Sequence, residues 1–248
     1  MSTSTSIEWT EQTWNPTVGC SKISSGCAHC YAEVMARRLQ AMGVKGYENG
    51  FRLTLLPHRL PDPLQRKRPT LYFVNSMSDL FHEAIPDSYL LQVMAVIRQA
   101  PWHTFQVLTK RAERMADFFA KTPPPSNVWL GVTVENRASG LPRLDHLRGL
   151  PASVRFVSAE PLLEDLGKID LTGIHWVIVG GESGPRARPM QHDWLLSVKR
   201  QCDRQHVAFF FKQWGSWGSD GRKRAKKDNG RLLHGRTWDA MPRPAVAF

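Results

Sequence analysis

From Leu71 onward the chain repeats one pattern: a short apolar run, a polar tip, then an amphipathic stretch. The apolar runs start 21 to 33 residues apart. That period suits a strand plus a crossover helix, the unit from which parallel sheets are wound with one hand. The predicted strands are 14–19, 71–75, 104–109, 128–134, 154–158, 175–180 and 207–212. Several are almost wholly apolar, such as Trp176-Val-Ile-Val179 and Phe209-Phe-Phe211, as in strands covered on both faces. Six to seven such units in 248 residues predict an α/β fold, a partial (β/α) barrel in one domain over residues 1–221. An open doubly wound sheet is the alternative. The stretch 43–69, with Pro57, Pro61, Pro63 and Pro69, reads as an irregular insertion.

The helices between these strands carry readable stripes. Tyr31, Val34, Met35, Leu39 and Met42 share one face, and Gly43 is placed to stop that helix. Pro86 and Asp87 suit the first turn of a helix carrying Leu90, Val93, Met94 and Ile97, which ends before Pro101. Ala112, Met115, Phe118 and Phe119 make a third stripe, and Trp194, Leu195, Val198 and Cys202 a fourth.

Both candidate folds bind ligands at the carboxyl ends of their strands. Here those ends read Asn75-Ser-Met-Ser-Asp79, Thr109-Lys-Arg111, Thr133-Val-Glu-Asn136, Ser158-Ala-Glu-Pro161, Gly180-Gly-Glu-Ser-Gly184 and Lys212-Gln-Trp214. Each tip alone suits a turn or helix cap. Six of them on one rim make a candidate site.

The sharpest local feature is Cys20-Ser-Lys-Ile-Ser-Ser-Gly-Cys27-Ala-His-Cys30, a Cys-x6-Cys-x2-Cys array. Three thiols on an eleven-residue Ser/Gly-rich loop can close around one soft metal centre. A closed zinc site needs a fourth ligand, for which His29 is awkwardly placed, while His58 and His82 have no evident pairing. A 4Fe-4S cluster on three cysteines instead leaves one iron open to a small molecule. The remaining cysteine, Cys202, lies on an apolar helical stripe and reads as core.

Lysine and arginine outnumber acids by 33 to 22, a net charge of +11 that favours a polyanionic partner. Deleting residues 222–236 lowers it to +5, so half the excess sits in a basic C-terminal tail, residues 222–248. Arg222, Lys223, Arg224, Lys226 and Lys227 there are candidates for nucleic-acid phosphates, and Trp217 just before them for base stacking. A solvated tail is the plainer reading. No apolar run approaches the ~18 residues of a membrane span. The Ser/Thr-rich start carries no secretory signal, so a cytoplasmic protein is expected, with no membrane partner.

Taken together, several stretches carry a family likeness. They are Trp14-Asn-Pro-Thr-Val-Gly-Cys20, Cys27-Ala-His-Cys-Tyr-Ala32, Asn75-Ser-Met-Ser-Asp-Leu-Phe-His82, Val107-Leu-Thr-Lys-Arg111, Leu130-Gly-Val-Thr-Val-Glu-Asn136, Phe156-Val-Ser-Ala-Glu-Pro-Leu-Leu163, Val177-Ile-Val-Gly-Gly-Glu-Ser-Gly184 and Phe210-Phe-Lys-Gln-Trp-Gly215. The chain resembles the radical S-adenosylmethionine superfamily. It is more similar still to a phage- and prophage-associated, radical-SAM-like family of uncharacterised proteins, often encoded beside a three-Cys-motif partner protein. The loop departs from the usual Cys-x3-Cys-x2-Cys spacing by three extra residues before Cys27. His29 replaces the aromatic residue that commonly precedes the third cysteine and packs near adenine. Gly180-Gly-Glu182 follows the sixth predicted strand rather than the second, where such a motif normally lies.

The resemblance implies that Cys20, Cys27 and Cys30 hold a 4Fe-4S cluster whose open iron binds S-adenosylmethionine, with reduction by an external electron donor. Ser76, Ser78 and Asp79 occupy the place where the superfamily reads the amino group. From their chemistry, Lys110 or Arg111 suits the carboxylate, and Glu135 or Glu160 the ribose hydroxyls. Gly180 and Gly181 permit close backbone approach, and Glu182 and Lys212 remain for substrate or acid–base work. The leading expectation is an iron–sulfur, S-adenosylmethionine-dependent radical enzyme that modifies or repairs nucleic acid. Two others stay open: a non-catalytic nucleic-acid-binding protein with a structural zinc or iron–sulfur site, and a radical enzyme for a small molecule.

Overall fold

A computed structural model describes residues 3–5 and 7–242 of the chain. The described residues fall into two compact units, one within 1–23, 30–131 and 150–153, the other within 24–29, 132–149 and 154–248.

The first unit contains, in chain order, β1 (Thr3–Ser4), β2 (Gln12–Thr13), β3 (Thr17–Val18), α1 (Tyr31–Ala41), β4 (Thr54–Leu55), α2 (Asp62–Gln65), β5 (Leu71–Val74), α3 (Asp87–Gln99), β6 (Thr104–Thr109) and α4 (Ala112–Lys121). β1 pairs antiparallel with β2, β2 runs parallel to β5, and β5 parallel to β6. α3 buries Tyr89, Leu90, Val93, Met94 and Ile97. α4 buries Ala112, Met115, Phe118 and Phe119, the face its stripe predicts.

β7 (Val128–Thr133), wholly buried, carries residues of both units. The second unit continues with α5 (Arg137–Gly140), α6 (Arg143–Arg148), β8 (Val154–Ala159), β9 (Trp176–Gly180), α7 (His192–Arg204), β10 (Ala208–Gln213) and α8 (Lys226–Asn229). β8, β9 and β10 pair in parallel, and Trp176 packs between Phe156 and Phe210. α7 buries Leu195, Val198 and Cys202.

The strand order is β1-β2-β5-β6-β7-β8-β9-β10. After the first hairpin it follows the chain without reversal. Such an order has no switch point, which excludes the doubly wound alternative and makes the fold α/β of partial (β/α)-barrel type. Among the described residues no helix is long and apolar enough to cross a membrane.

Three expectations need correction. The strand that runs parallel to β5 is Gln12–Thr13, not a single strand over 14–19. Pro16 breaks the run because it has no N–H for a ladder. Its carbonyl accepts from Leu56 N at 2.8 Å and from the Tyr89 hydroxyl at 2.7 Å, and Thr17–Val18 turns away to pair with Thr54–Leu55. The stretch 43–69 is therefore only partly irregular, since it supplies β4, a 3-10 turn at Pro57–Arg59 and α2. The third concerns α1. Its apolar stripe lies on one side, but Tyr31, Val34, Met35 and Met42 are exposed, and only Leu39 of the five packs inward. The helix docks instead through Ala32 and Ala36 against Val18, Tyr47, Leu56 and Met77. Periodicity locates a stripe without saying which way it points, and two alanines a turn apart allow closer approach than larger side chains.

The basic segment lies within the second unit. Trp214 Nε1 donates to the Leu232 carbonyl at 2.9 Å, Phe211 N to that of Trp238 at 2.8 Å, and Trp176 Nε1 to that of Ala240 at 2.8 Å.

Candidate functional site

None of the four cysteines is in a disulfide; Cys20, Cys27 and Cys30 are half-buried and Cys202 is buried. Cys27 closes a 3-10 turn over Ser25–Cys27, its N–H donating to the Ser24 carbonyl at 3.0 Å. Cys30 caps the start of α1. Among the described residues no three His, Cys, Asp or Glu side chains are grouped so as to hold a metal ion. A cluster distributes its cysteines over several iron atoms, so it needs three thiols on one accessible loop rather than three converging on a point. The donor set meets that need. Cys202 takes no part: burial pushes its thiol up to about 12.

In the first unit, Cys20 and Ser21 are gripped by one side chain. Arg111 Nη1 donates to Cys20 Sγ at 3.5 Å and to Asp79 Oδ2 at 3.2 Å. Nη2 donates to Ser21 Oγ at 2.7 Å and its carbonyl at 3.2 Å, and Nε to Glu83 at 2.8 Å. Burial lowers the Arg111 guanidinium, but Asp79, the Cys20 thiol and Glu83 outweigh it and hold it above its usual range. Burial raises Glu83, and its own backbone N–H and Arg111 more than reverse this, to about 2. His82 Nε2 lies 2.9 Å from Ser21 Oγ, while Ala84 N donates to Nδ1 at 3.2 Å. Burial, then the Arg111 charge, holds His82 below its ordinary value, so it is neutral and Nε2 carries the proton toward Ser21.

In the second unit, carboxylates grip residues 24–29. Glu135, fully buried, accepts from Ser24 Oγ on one oxygen and from Arg143 Nη1 at 2.7 Å on the other. Gly26 lies so close that a Cβ there would stand 3.0 Å from the Glu135 carboxyl. Asn136 Nδ2 donates to Ser25 Oγ at 2.8 Å. Glu182 is chelated by Arg188 through Nη2 at 2.6 Å, Nε at 2.9 Å and the backbone N–H at 2.8 Å, and His29 Nδ1 lies 3.2 Å from it. Burial raises the Glu182 carboxyl, yet Arg188 and His29 bring it below its usual range. Arg188 also donates to the Ser25 carbonyl at 3.0 Å. Glu182 is thus ionised, with both oxygens engaged by Arg188 and one of them beside His29.

The other rim residues divide similarly. Ser76 exchanges hydrogen bonds with Asn15, and Ser78 accepts from Thr17 at 3.0 Å and donates to the Gly19 carbonyl at 2.7 Å. Asp79 accepts from Thr109, Lys110 N, Phe81 N and Arg111. Asn75 gives its amide N–H to Thr17 at 2.8 Å, while its buried Oδ1 has no donor among the described residues. Lys110 contributes its backbone N–H to Asp79; its ammonium enters no ion pair among the described residues. Lys212 Nζ is clamped to Glu160 at 2.7 and 2.9 Å, and Gly180 lies beside that carboxylate. At Gly181 a Cβ would stand 1.9 Å from the Trp214 carbonyl oxygen, so backbone packing alone requires glycine there.

Near the C-terminus, Trp217 is half-buried, its Nε1 donating to the Ala187 carbonyl at 2.7 Å, with the Lys223 ammonium 5.6 Å from its ring centre. Lys223 also reaches the Pro185 carbonyl, and Arg224 pairs with Asp220. Arg222, Lys223, Arg224, Lys226 and Lys227 are all exposed.

Sequence reasoning missed Ser21, Ser24, Arg143 and Arg188. The two serines had a signal, being hydroxyls inside the cysteine loop. The arginines had none, because their partners are set by the fold.

These features define a class: a parallel βα protein presenting a three-thiol loop held by buried charge. The family described as a protein of unknown function, DUF5131, matches residues 4–242, and the chain belongs to it. No curated protein matches. Among solved structures, the chain is similar to a spore photoproduct lyase variant with bound AdoMet and dinucleoside spore photoproduct, at 11% identity and TM-score 0.46. A second spore photoproduct lyase variant gives 10% identity and TM-score 0.48. In both, the match covers 82% of this chain and 64% of the other.

Proposed function

We propose that this protein is an iron–sulfur enzyme in which Cys20, Cys27 and Cys30 hold a 4Fe-4S cluster open to S-adenosylmethionine, with nucleic acid as substrate. The observation that carries the reading is the loop itself: three thiols, none in a disulfide, in eleven residues, with charged anchors on Cys20–Ser21 and on residues 24–29. When bound, such a cluster supplies one-electron reduction of S-adenosylmethionine, for which an external electron donor is needed. This chain's residues do the positioning. Arg111 and Glu135 set the loop, and Lys110 offers a cation to the ligand's carboxylate. Asn75 Oδ1, buried without a donor, suits a ligand that brings N–H groups. The exposed cations from Arg222 to Lys227 support a phosphate-bearing substrate. A partner protein encoded alongside belongs to the same reading.

Anaerobic reconstitution with iron and sulfide tests it. About four irons per chain, lost in Cys20→Ala, Cys27→Ala and Cys30→Ala but kept in Cys202→Ala, is the expected result. Reduced protein then cleaves S-adenosylmethionine. Stoichiometric zinc in a colourless protein overturns the enzyme reading in favour of a binding module. Absence of nucleic-acid binding near physiological salt removes the proposed substrate.

A further inference from the structure

Soluble proteins seldom leave contiguous apolar surface open without a use for it. Among the described residues, eight large hydrophobic side chains are exposed. Four of them, Tyr31 at 59%, Val34 at 69%, Met35 at 40% and Met42 at 68%, lie on α1 or at its C-cap, and Ile23 at 44% lies in the cysteine loop that precedes it. The α1 members fall at i, i+3, i+4 and i+11, with the exposed Arg38 at i+7, so they form one stripe along the whole helix. All belong to the first unit. The opposite side already packs through Ala32 and Ala36, so the stripe is not a misassigned core face. The Tyr31 hydroxyl donates to the Ser76 carbonyl, which leaves most of the ring in solvent.

We propose that this face of α1 docks a second, different protein through an apolar patch rimmed with carboxylates. Charge decides between occupants. The stripe carries Arg38 at its centre, with Arg37 and Lys22 on its flanks, and Glu33 is already taken by both of those cations. A second copy of this chain placed two-fold on the stripe would bring one Arg38 against the other, and like charges across an interface select against that pairing. A partner with acidic residues around an apolar centre meets both needs. Nucleic acid is disfavoured because Val34, Met35 and Met42 offer no base stacking, which leaves Tyr31 as the one aromatic ring of the stripe. Methionine's adaptable side chain suits a protein surface.

The test places a photo-crosslinking amino acid at Val34 or Met42 of the full chain in its native cells, with Leu91 and Leu232, exposed elsewhere, as control positions. One protein crosslinked from both α1 positions and from neither control is expected. That protein, purified and mixed with this chain, should bind at least tenfold more weakly to Val34→Glu, to Met42→Glu and to Arg38→Glu. Each substituted residue is exposed, so each variant should keep the parent's thermal midpoint, which separates a docking defect from a folding defect. Crosslinking to a second copy, to nucleic acid or to lipid, an equal yield at the controls, or no adduct at all overturns the proposal. None of these outcomes depends on the metal loading of the cysteine loop.

Discussion

The two stretches that hold the cysteine loop solve one problem with opposite charge. Cys20 and Ser21 are held by a cation, Arg111, which also serves two acids, Asp79 and Glu83. Residues 24–29 are held by two carboxylates, Glu135 and Glu182, each with its own arginine. A Ser/Gly-rich loop has little apolar surface to bury, so charge-assisted hydrogen bonds replace packing in both places. The difference lies in redundancy. One guanidinium makes most of the charged contacts in the first unit, with His82 beside it on Ser21, whereas separate pairs share the load in the second.

That contrast yields graded expectations. Arg111→Ala leaves the buried Asp79 carboxylate uncompensated and should cost about 3–5 kcal/mol in urea unfolding. Arg111→Lys should recover only part of it, because an ammonium cannot reach Cys20, Ser21, Asp79 and Glu83 at once. A loss below about 1 kcal/mol would show that Arg111 is not the main support of Cys20 and Ser21. Glu182→Gln should cost less, about 1–3 kcal/mol, since Glu135 still holds Ser24. Equal losses at the two positions would erase the contrast.

Acidification separates the two stretches further. His82 is held neutral below its ordinary value in the folded chain, so the unfolded chain takes up its proton first. Its contribution is complete above the ordinary histidine range and falls as pH drops through that range toward the lowered folded value. Glu83 acts lower: its contribution is complete above about 4.5, its ordinary value, and is lost as pH falls toward about 2. Unfolding curves from pH 8 to pH 3 should show both steps, and His82→Gln should shrink the first, whose remainder comes from His103 and His175, also lowered by burial. The smallest effect serves as a control. Neutralising Arg222, Lys223, Arg224, Lys226 and Lys227 together should change stability by no more than about 0.5 kcal/mol per site. It should flatten the salt dependence of nucleic-acid binding by roughly 0.7 to 0.9 in log–log slope for each phosphate that is no longer neutralised.

The sheet was legible because its signal is local. Strands β6 to β10 fall within a residue or two of the predicted runs, since each is an apolar stretch between turn residues. The first strand was not, because one proline redirects the chain. At the site, the sequence picked out Arg111, Glu135 and Glu182 as charged residues on strand tips. It could not show that their partners are the loop's own serines, its histidine and two arginines eight and six residues after Glu135 and Glu182. A carboxylate awaiting a ribose and one already bound to an arginine look identical in one dimension. The apolar stripe of α1 failed for a related reason: a period of 3.6 defines a face, and only the rest of the fold decides what covers it.

Helix α1 inverts the usual relation between side-chain size and tolerance. Its smallest residues, Ala32 and Ala36, set how near the helix lies to Val18, Tyr47, Leu56 and Met77, and Cys30 sits at its first turn. A methyl group added at either alanine lifts the helix and carries that thiol with it. In a saturation library scored for folding alone, Tyr31, Val34, Met35 and Met42 will accept most amino acids while the two alanines accept little beyond glycine and serine. Scored for partner binding, the large positions will tighten as well, and the gap between the two maps will outline the docking face.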